Sequence, residues 1–121
     1  MNAERTKFEA LLRAVPPSHE VWPAVQTVLQ IVGSEANLKS LIIRDKTMPA
    51  TRTADIYRSR FENLSRKGIA CGGFLETVSA LTSHADPVRA ISCETESNVI
   101  VCFADAELRK LVGCVYSERE D

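Results

Sequence analysis

Long apolar runs are missing from this 121-residue sequence. A membrane-spanning helix needs about 18 or more consecutive apolar residues, and no stretch approaches that. The opening residues, Met1 to Glu9, include Glu4, Arg5, Lys7 and Glu9 where a secretory signal would carry its apolar core. The chain therefore reads as a cytoplasmic protein with no membrane association. Histidine is also scarce, with only His19 and His84. The four cysteines, Cys71, Cys93, Cys102 and Cys114, lie 22, 9 and 12 positions apart. No Cys-x-x-Cys pair supplies the close ligand spacing of a zinc site, so neither metal nor cofactor is expected. Without a secretion signal, disulfides are not expected either, and the thiols read as small buried hydrophobes.

Catalytic groupings are equally thin. His19 beside Glu20, His84 near Asp86, and Cys71 beside Gly72 and Gly73 each stand alone. A nucleophilic mechanism needs a base and an orienting group around such a residue. Gly68-x-x-x-Gly72-Gly73 is not followed by Lys-Ser or Lys-Thr, so no phosphate loop is indicated. The sequence reads as a protein that is not an enzyme.

What is present is an ordinary globular composition, 45% apolar and 26% charged, sized for one domain over residues 1–121. The net charge of −1 hides a polarity. Residues 40–67 hold seven basic and three acidic side chains, whereas residues 68–121 hold four basic and nine acidic. A basic block inside a neutral chain is a footprint for a polyanion, or simply a solvated helix face with its own ion pairs.

Periodicity predicts helices first. Phe8, Leu11, Leu12 and Val15 make a helical stripe over 4–15, ended by Pro16 and Pro17. Ser18 is placed to cap a second helix carrying Trp22, Val25, Val28 and Val32 to Gly33. A third helix is expected over about 35–46, burying Leu38, Leu41 and Ile42. A fourth is expected from about Arg52 to Lys67, capped by Gly68, and a short fifth over 74–83. Then the period changes. Val88 to Thr95 and Asn98 to Ala104 read as a hairpin turning at Glu96 and Ser97, with Cys93 opposite Ile100 and Cys102 opposite Ile91. The two thiols would be diagonal neighbours. The second strand is apolar on both faces and should be covered on both. Asp105 is placed to cap a last helix with Leu108, Leu111, Val112 and Val115, before a frayed tail at 117–121. The fold class is α+β, mostly helical, with a C-terminal antiparallel hairpin.

The informative stretch is residues 28–69. On a helix over 52–67, Ala54, Tyr57, Phe61 and Leu64 share one stripe. The opposite face collects Arg52, Ile56, Ser59, Arg60, Asn63, Arg66 and Lys67. Arginine can grip guanine and asparagine adenine, while Ser and Arg hold phosphates. Leu38-Lys-Ser-Leu-Ile, Met48-Pro-Ala-Thr-Arg-Thr, Ile56, Phe61-Glu-Asn-Leu and Arg66-Lys-Gly-Ile together resemble the middle of a winged helix-turn-helix domain of the MarR type. The resemblance covers about 40 residues.

That resemblance implies a dimeric transcription regulator whose recognition helix, 52–67, enters the major groove of double-stranded DNA. Arg52, Ser59, Arg60, Asn63 and Arg66 would contact the DNA, and Arg44, Lys46 and Lys67 would lie near phosphates. The hairpin begins about 20 residues after Gly68-Ile69 and turns on acidic residues, so residues 88–115 are read as a dimerisation or partner unit rather than a wing. The other reading is a protein-interaction module, an adaptor, inhibitor or complex subunit without nucleic-acid binding. Its surface would be the acidic hairpin and tail, with the basic helix facing solvent or an acidic partner.

Overall fold

Residues 98–104 set the architecture. A strand apolar on both faces needs cover on both. A computed structural model, which describes residues 3–34 and 37–119, provides it. Along the chain come α1 (Ala3–Arg13), α2 (Trp22–Gly33), β1 (Ser40–Ile43), α3 (Ala50–Arg66), β2 (Cys71–Gly72), α4 (Phe74–Thr82), β3 (Val88–Glu94), β4 (Asn98–Asp105) and β5 (Leu111–Glu118). The strands form one antiparallel sheet in the order β1-β3-β4-β5-β2. Helices α1 and α2 cover one face, where Phe8, Leu12, Val25 and Val28 pack with Ile91, Ile100 and Cys102. Helices α3 and α4 cover the other, where Ala54, Phe61 and Leu81 pack with Val101, Phe103 and Val115. The fold is α+β in three layers, with β4 buried at the centre.

The hairpin has the expected register. Ile91 faces Cys102 and Cys93 faces Ile100, so both thiols point to the α1/α2 side. Cys114 on β5 stands opposite Cys102 and extends the row. The stripe of α3 also lies as expected, with Ala54, Tyr57, Phe61 and Leu64 against the sheet. Tyr57 meets Phe103 edge-on, with ring centroids 4.8 Å apart. The helix ends where Gly68 takes φ +85, a left-handed conformation that favours glycine. Ile69 N–H then bonds the Leu64 carbonyl and Gly68 N–H the Ser65 carbonyl, each at 3.0 Å, which closes the last turn.

Two expected helices are strands. Part of the third, residues 35 and 36, lies outside the described residues; its remainder contains β1, the edge of the sheet. Pairing with β3 outweighs the helical spacing of Leu38, Leu41 and Ile42. Leu38 and Leu41 do pack into the α1/α2 core, but Ile42 faces outward. Residues 37–69 therefore hold one α-helix, α3, and the helix that should precede it in a helix-turn-helix is a strand. The last helix is likewise β5, which pairs with β4 from Leu111 to Glu118 with one bulge at Val112. The hairpin 88–105 forms the middle of the sheet rather than a separate unit.

Smaller corrections follow the same physics. The second helix starts at Trp22, not at a Ser18 cap, with Val21 at its N-cap and Pro23 in its first turn. Helix α3 begins at Ala50, two residues before Arg52. Ser117 is buried in β5, and Arg119 N–H bonds the Ser97 carbonyl at 2.8 Å, so the tail is paired to residue 119. Residues 120 and 121 of the expected frayed tail lie outside the described residues.

Asp105 does cap, but it caps a loop. Its Oδ1 accepts from Arg109 N–H at 2.5 Å and Lys110 N–H at 3.1 Å. Leu108, at φ 58, is buried beneath that loop. Arg89 ties the loop to the rest. It donates to the Arg44 carbonyl at 2.8 Å, the Ala106 carbonyl at 3.2 Å and the Glu4 carboxylate at 2.9 Å.

Candidate interaction surface at the β1 edge and α3

The two edges of the sheet end differently. At the β5 side, the two-residue β2 pairs with Tyr116 and Ser117, and the Thr77 hydroxyl of α4 takes the Cys114 carbonyl at 3.0 Å. At the other side, among the described residues, β1 pairs with β3 alone. Arg44 N–H bonds the Ala90 carbonyl at 3.1 Å. Alternation along an antiparallel ladder then turns the N–H and C=O groups of Leu41 and Ile43 to the open side.

Beyond β1 the ladder is interrupted. Arg44 stands against Ala90, and the next pairing is Met48 with Val88, bonded both ways at 2.9 Å. Asp45, Lys46 and Thr47 stand against the single residue Arg89 of β3, so they bulge into solvent. Between this bulge and α3 opens a cleft of about 600 Å³ with Met48, Ile56, Tyr57, Val88 and Ala90 in its walls. Ile42, on the same sheet face, and Ile56 are 46% and 45% exposed. Arg44 and Lys46 stand on the cleft's rim. Arg52 is exposed one helical turn before Ile56. Among the described residues, the side chains of Arg44, Lys46 and Arg52 make no ion pair.

The remaining candidate residues run down α3. Ser59, Arg60, Asn63, Arg66 and Lys67 are all exposed, but they are not one free cationic face. Arg66 stands 3.8 Å from Glu62, and Arg58 3.4 Å from Asp55, both as pairs within the helix. The Arg60 guanidinium lies 5.9 Å from the Tyr57 ring centroid. Arg60 and Asn63 also border a groove shared with Glu94 and Glu118. The acidic end of the sheet thus sits beside the C-terminal half of α3. Arg44, Lys46 and Arg52 gather at the other end, roughly 12–16 Å away at 1.5 Å per helical residue.

The other reactive side chains are placed structurally. Burial pushes the Cys93 thiol up to about 12 and holds Cys102 well above the usual thiol range. Cys71, half-buried against the Phe61 and Ile69 carbonyls, is raised by desolvation. His19 accepts the Val21 N–H through Nδ1 at 3.2 Å. The clefts that His19 lines contain neither Cys71 nor His84. Among the described residues no cluster of His, Cys, Asp or Glu is arranged to hold a metal ion, and no helix is long and apolar enough to cross a membrane.

Sequence reasoning missed Ile42, which it assigned to a helical core, and the cleft beside it. The available signal was the run Leu41-Ile42-Ile43, with two β-branched residues in a row, which suits a strand better than a helix. Compared with known proteins, the chain matches no family model, no curated protein and no solved structure.

Proposed function

We propose that this protein is a protein-interaction module that docks a partner at the β1 edge and the adjoining cleft of α3. The observation that carries the reading is an open sheet edge beside two exposed isoleucines, Ile42 and Ile56. Here one edge is closed by β2 and Thr77, while the other presents main-chain groups, apolar side chains and unpaired cations together. Such a patch supports recognition of another chain.

The test places a photo-reactive amino acid at Ile42 or Ile56 in living cells, with Leu75, 72% exposed on α4, as the control. The reading expects discrete protein adducts at Ile42 and Ile56, lost in the Arg44→Glu/Arg52→Glu variant and absent at Leu75. Equal labelling at all three sites, or none, contradicts it.

A second reading, a DNA-binding regulator acting through α3, is favoured by one observation. Arg52, Ser59, Arg60, Asn63 and Arg66 are all exposed on that helix, as is Lys67 at its C-cap. Glu94 and Glu118 beside Arg60 and Asn63 oppose it, because duplex DNA carries about one negative charge per 1.7 Å. This reading expects duplex binding at low salt that weakens steeply with added salt and is abolished by Arg60→Ala with Arg66→Ala. No duplex binding at low salt rejects it.

A further inference from the structure

We infer that the open edge of β1 takes an extended, acidic segment of a partner protein as a sixth strand of the sheet. This rests on the interaction reading above and adds the conformation and chemistry of what binds. Three features point the same way. First, Leu41 and Ile43 turn their main-chain groups outward in strand geometry, and an extended segment satisfies such groups without rearrangement. Second, exposed cations flank the strand, Lys39 before it and Arg44 and Lys46 after it, and outnumber the carboxylates beside it, Asp45 in the same run and Glu94, which accepts from the Ser40 hydroxyl at 3.3 Å. Acidic side chains beside them complement this charge, and like charges across a ladder are unfavourable. Third, Ile42 and the cleft wall at Ile56 lie on one face of the new strand, so its side chains toward α3 should be apolar.

The same charges argue against a second copy of this chain at the edge. Self-pairing would crowd Lys39, Arg44 and Lys46 of both copies along one short ladder.

The probe is a blocked hexapeptide with glutamate at both ends and valine and threonine alternating between them. It is titrated into the full chain and followed by amide resonances. The expected result is saturable shifts at Leu41, Ile42 and Ile43, with at least about tenfold weaker binding when lysines replace the glutamates. A peptide N-methylated at the residues facing Leu41 and Ile43 should not bind. The exposed-loop variant Arg44→Glu/Lys46→Glu should reverse the preference, favouring the lysine-ended peptide.

Equal binding of the N-methylated peptide, or shifts confined to other surfaces, overturns the sixth strand. Concentration-dependent dimerisation that protects the Leu41 and Ile43 amides overturns it in favour of a second copy. If photo-adducts form at Ile42 and Ile56 but no acidic peptide binds, the strand inference fails and the interaction reading stands. If neither adducts nor peptide binding is seen, both fail.

Discussion

Thr77 Oγ1 donates a 3.0 Å hydrogen bond to the Cys114 carbonyl, and the Gly113 beside that carbonyl leaves the room for it. A Cβ at Gly113 would stand 2.7 Å from Thr77 Oγ1. Helix α4 can therefore press against β5 only because that strand has a glycine there. Gly113→Ala should lower stability by about 1–3 kcal/mol through overpacking. Thr77→Val should lower it by about 1–3 kcal/mol by leaving a buried carbonyl without a donor. Urea denaturation checks both, and the two effects should not add, because they act on one contact.

Arg89 holds three segments at once, the end of β1, the β4–β5 loop and α1. Arg89→Met keeps much of the stem but removes the donor to the Arg44 and Ala106 carbonyls and to the Glu4 carboxylate. The expected loss is about 1–3 kcal/mol in urea. Glu4→Gln, which removes a half-exposed charge and keeps the stem, should change stability by less than about 1 kcal/mol.

The thiols make stability pH-dependent on the alkaline side. In the unfolded chain a cysteine ionises near 9, but Cys93 folded ionises only at about 12, because burial opposes the thiolate. Below about pH 9 both states hold the proton and Cys93 contributes no pH dependence. From about 9 to 12 the unfolded state alone releases it, so stability should fall as pH rises. Cys93→Ala should flatten that decline in urea midpoints measured between pH 8 and 11. At neutral pH a thiol reagent should label Cys71 before Cys93, Cys102 and Cys114, which are buried.

Neighbouring residues of β1 should respond unequally to charge. Leu41 packs into the α1/α2 core while Ile42 faces out. Leu41→Asp should cost about 3 kcal/mol or more by placing a carboxylate in apolar surroundings. Ile42→Asp should change stability by less than about 1 kcal/mol. Thermal unfolding of the two variants checks the strand register, and equal losses would contradict it.

The parts of the fold legible in the sequence are those where local and tertiary preferences agree. Val99 to Phe103 is apolar throughout and begins with three β-branched residues, and Glu96-Ser97 stands just before it, so the hairpin and its thiol register follow from period-two alternation. The stripe Ala54, Tyr57, Phe61, Leu64 and the Gly68 cap agree in the same way. The misread segments are short apolar runs whose spacing fits two periods. Leu38, Leu41 and Ile42 fit a helix face as well as a strand, and pairing with β3 decides between them. Asp105 followed by Leu108, Leu111 and Val112 looks like a capped helix because a loop-capping aspartate bonds the same kind of free N–H groups. Gly113 in the middle of that segment was the overlooked sign of a strand under close packing. The candidate surface was only half legible. Arg44, Lys46, Arg52 and Ile56 lie as exposed as their pattern implied, but their assembly around a cleft depends on β1 being an edge strand.

Amide hydrogen exchange along β1 tests the central claim most directly, that this edge is an open docking site. In the free chain the Arg44 N–H, bonded to Ala90, should exchange slowly, and those of Leu41 and Ile43 quickly. On saturation with the glutamate-ended hexapeptide, the Leu41 and Ile43 amides should slow by at least about tenfold while α4 is unchanged. Leu41 and Ile43 amides already protected in the free chain, or unaffected by saturating peptide, would contradict the account.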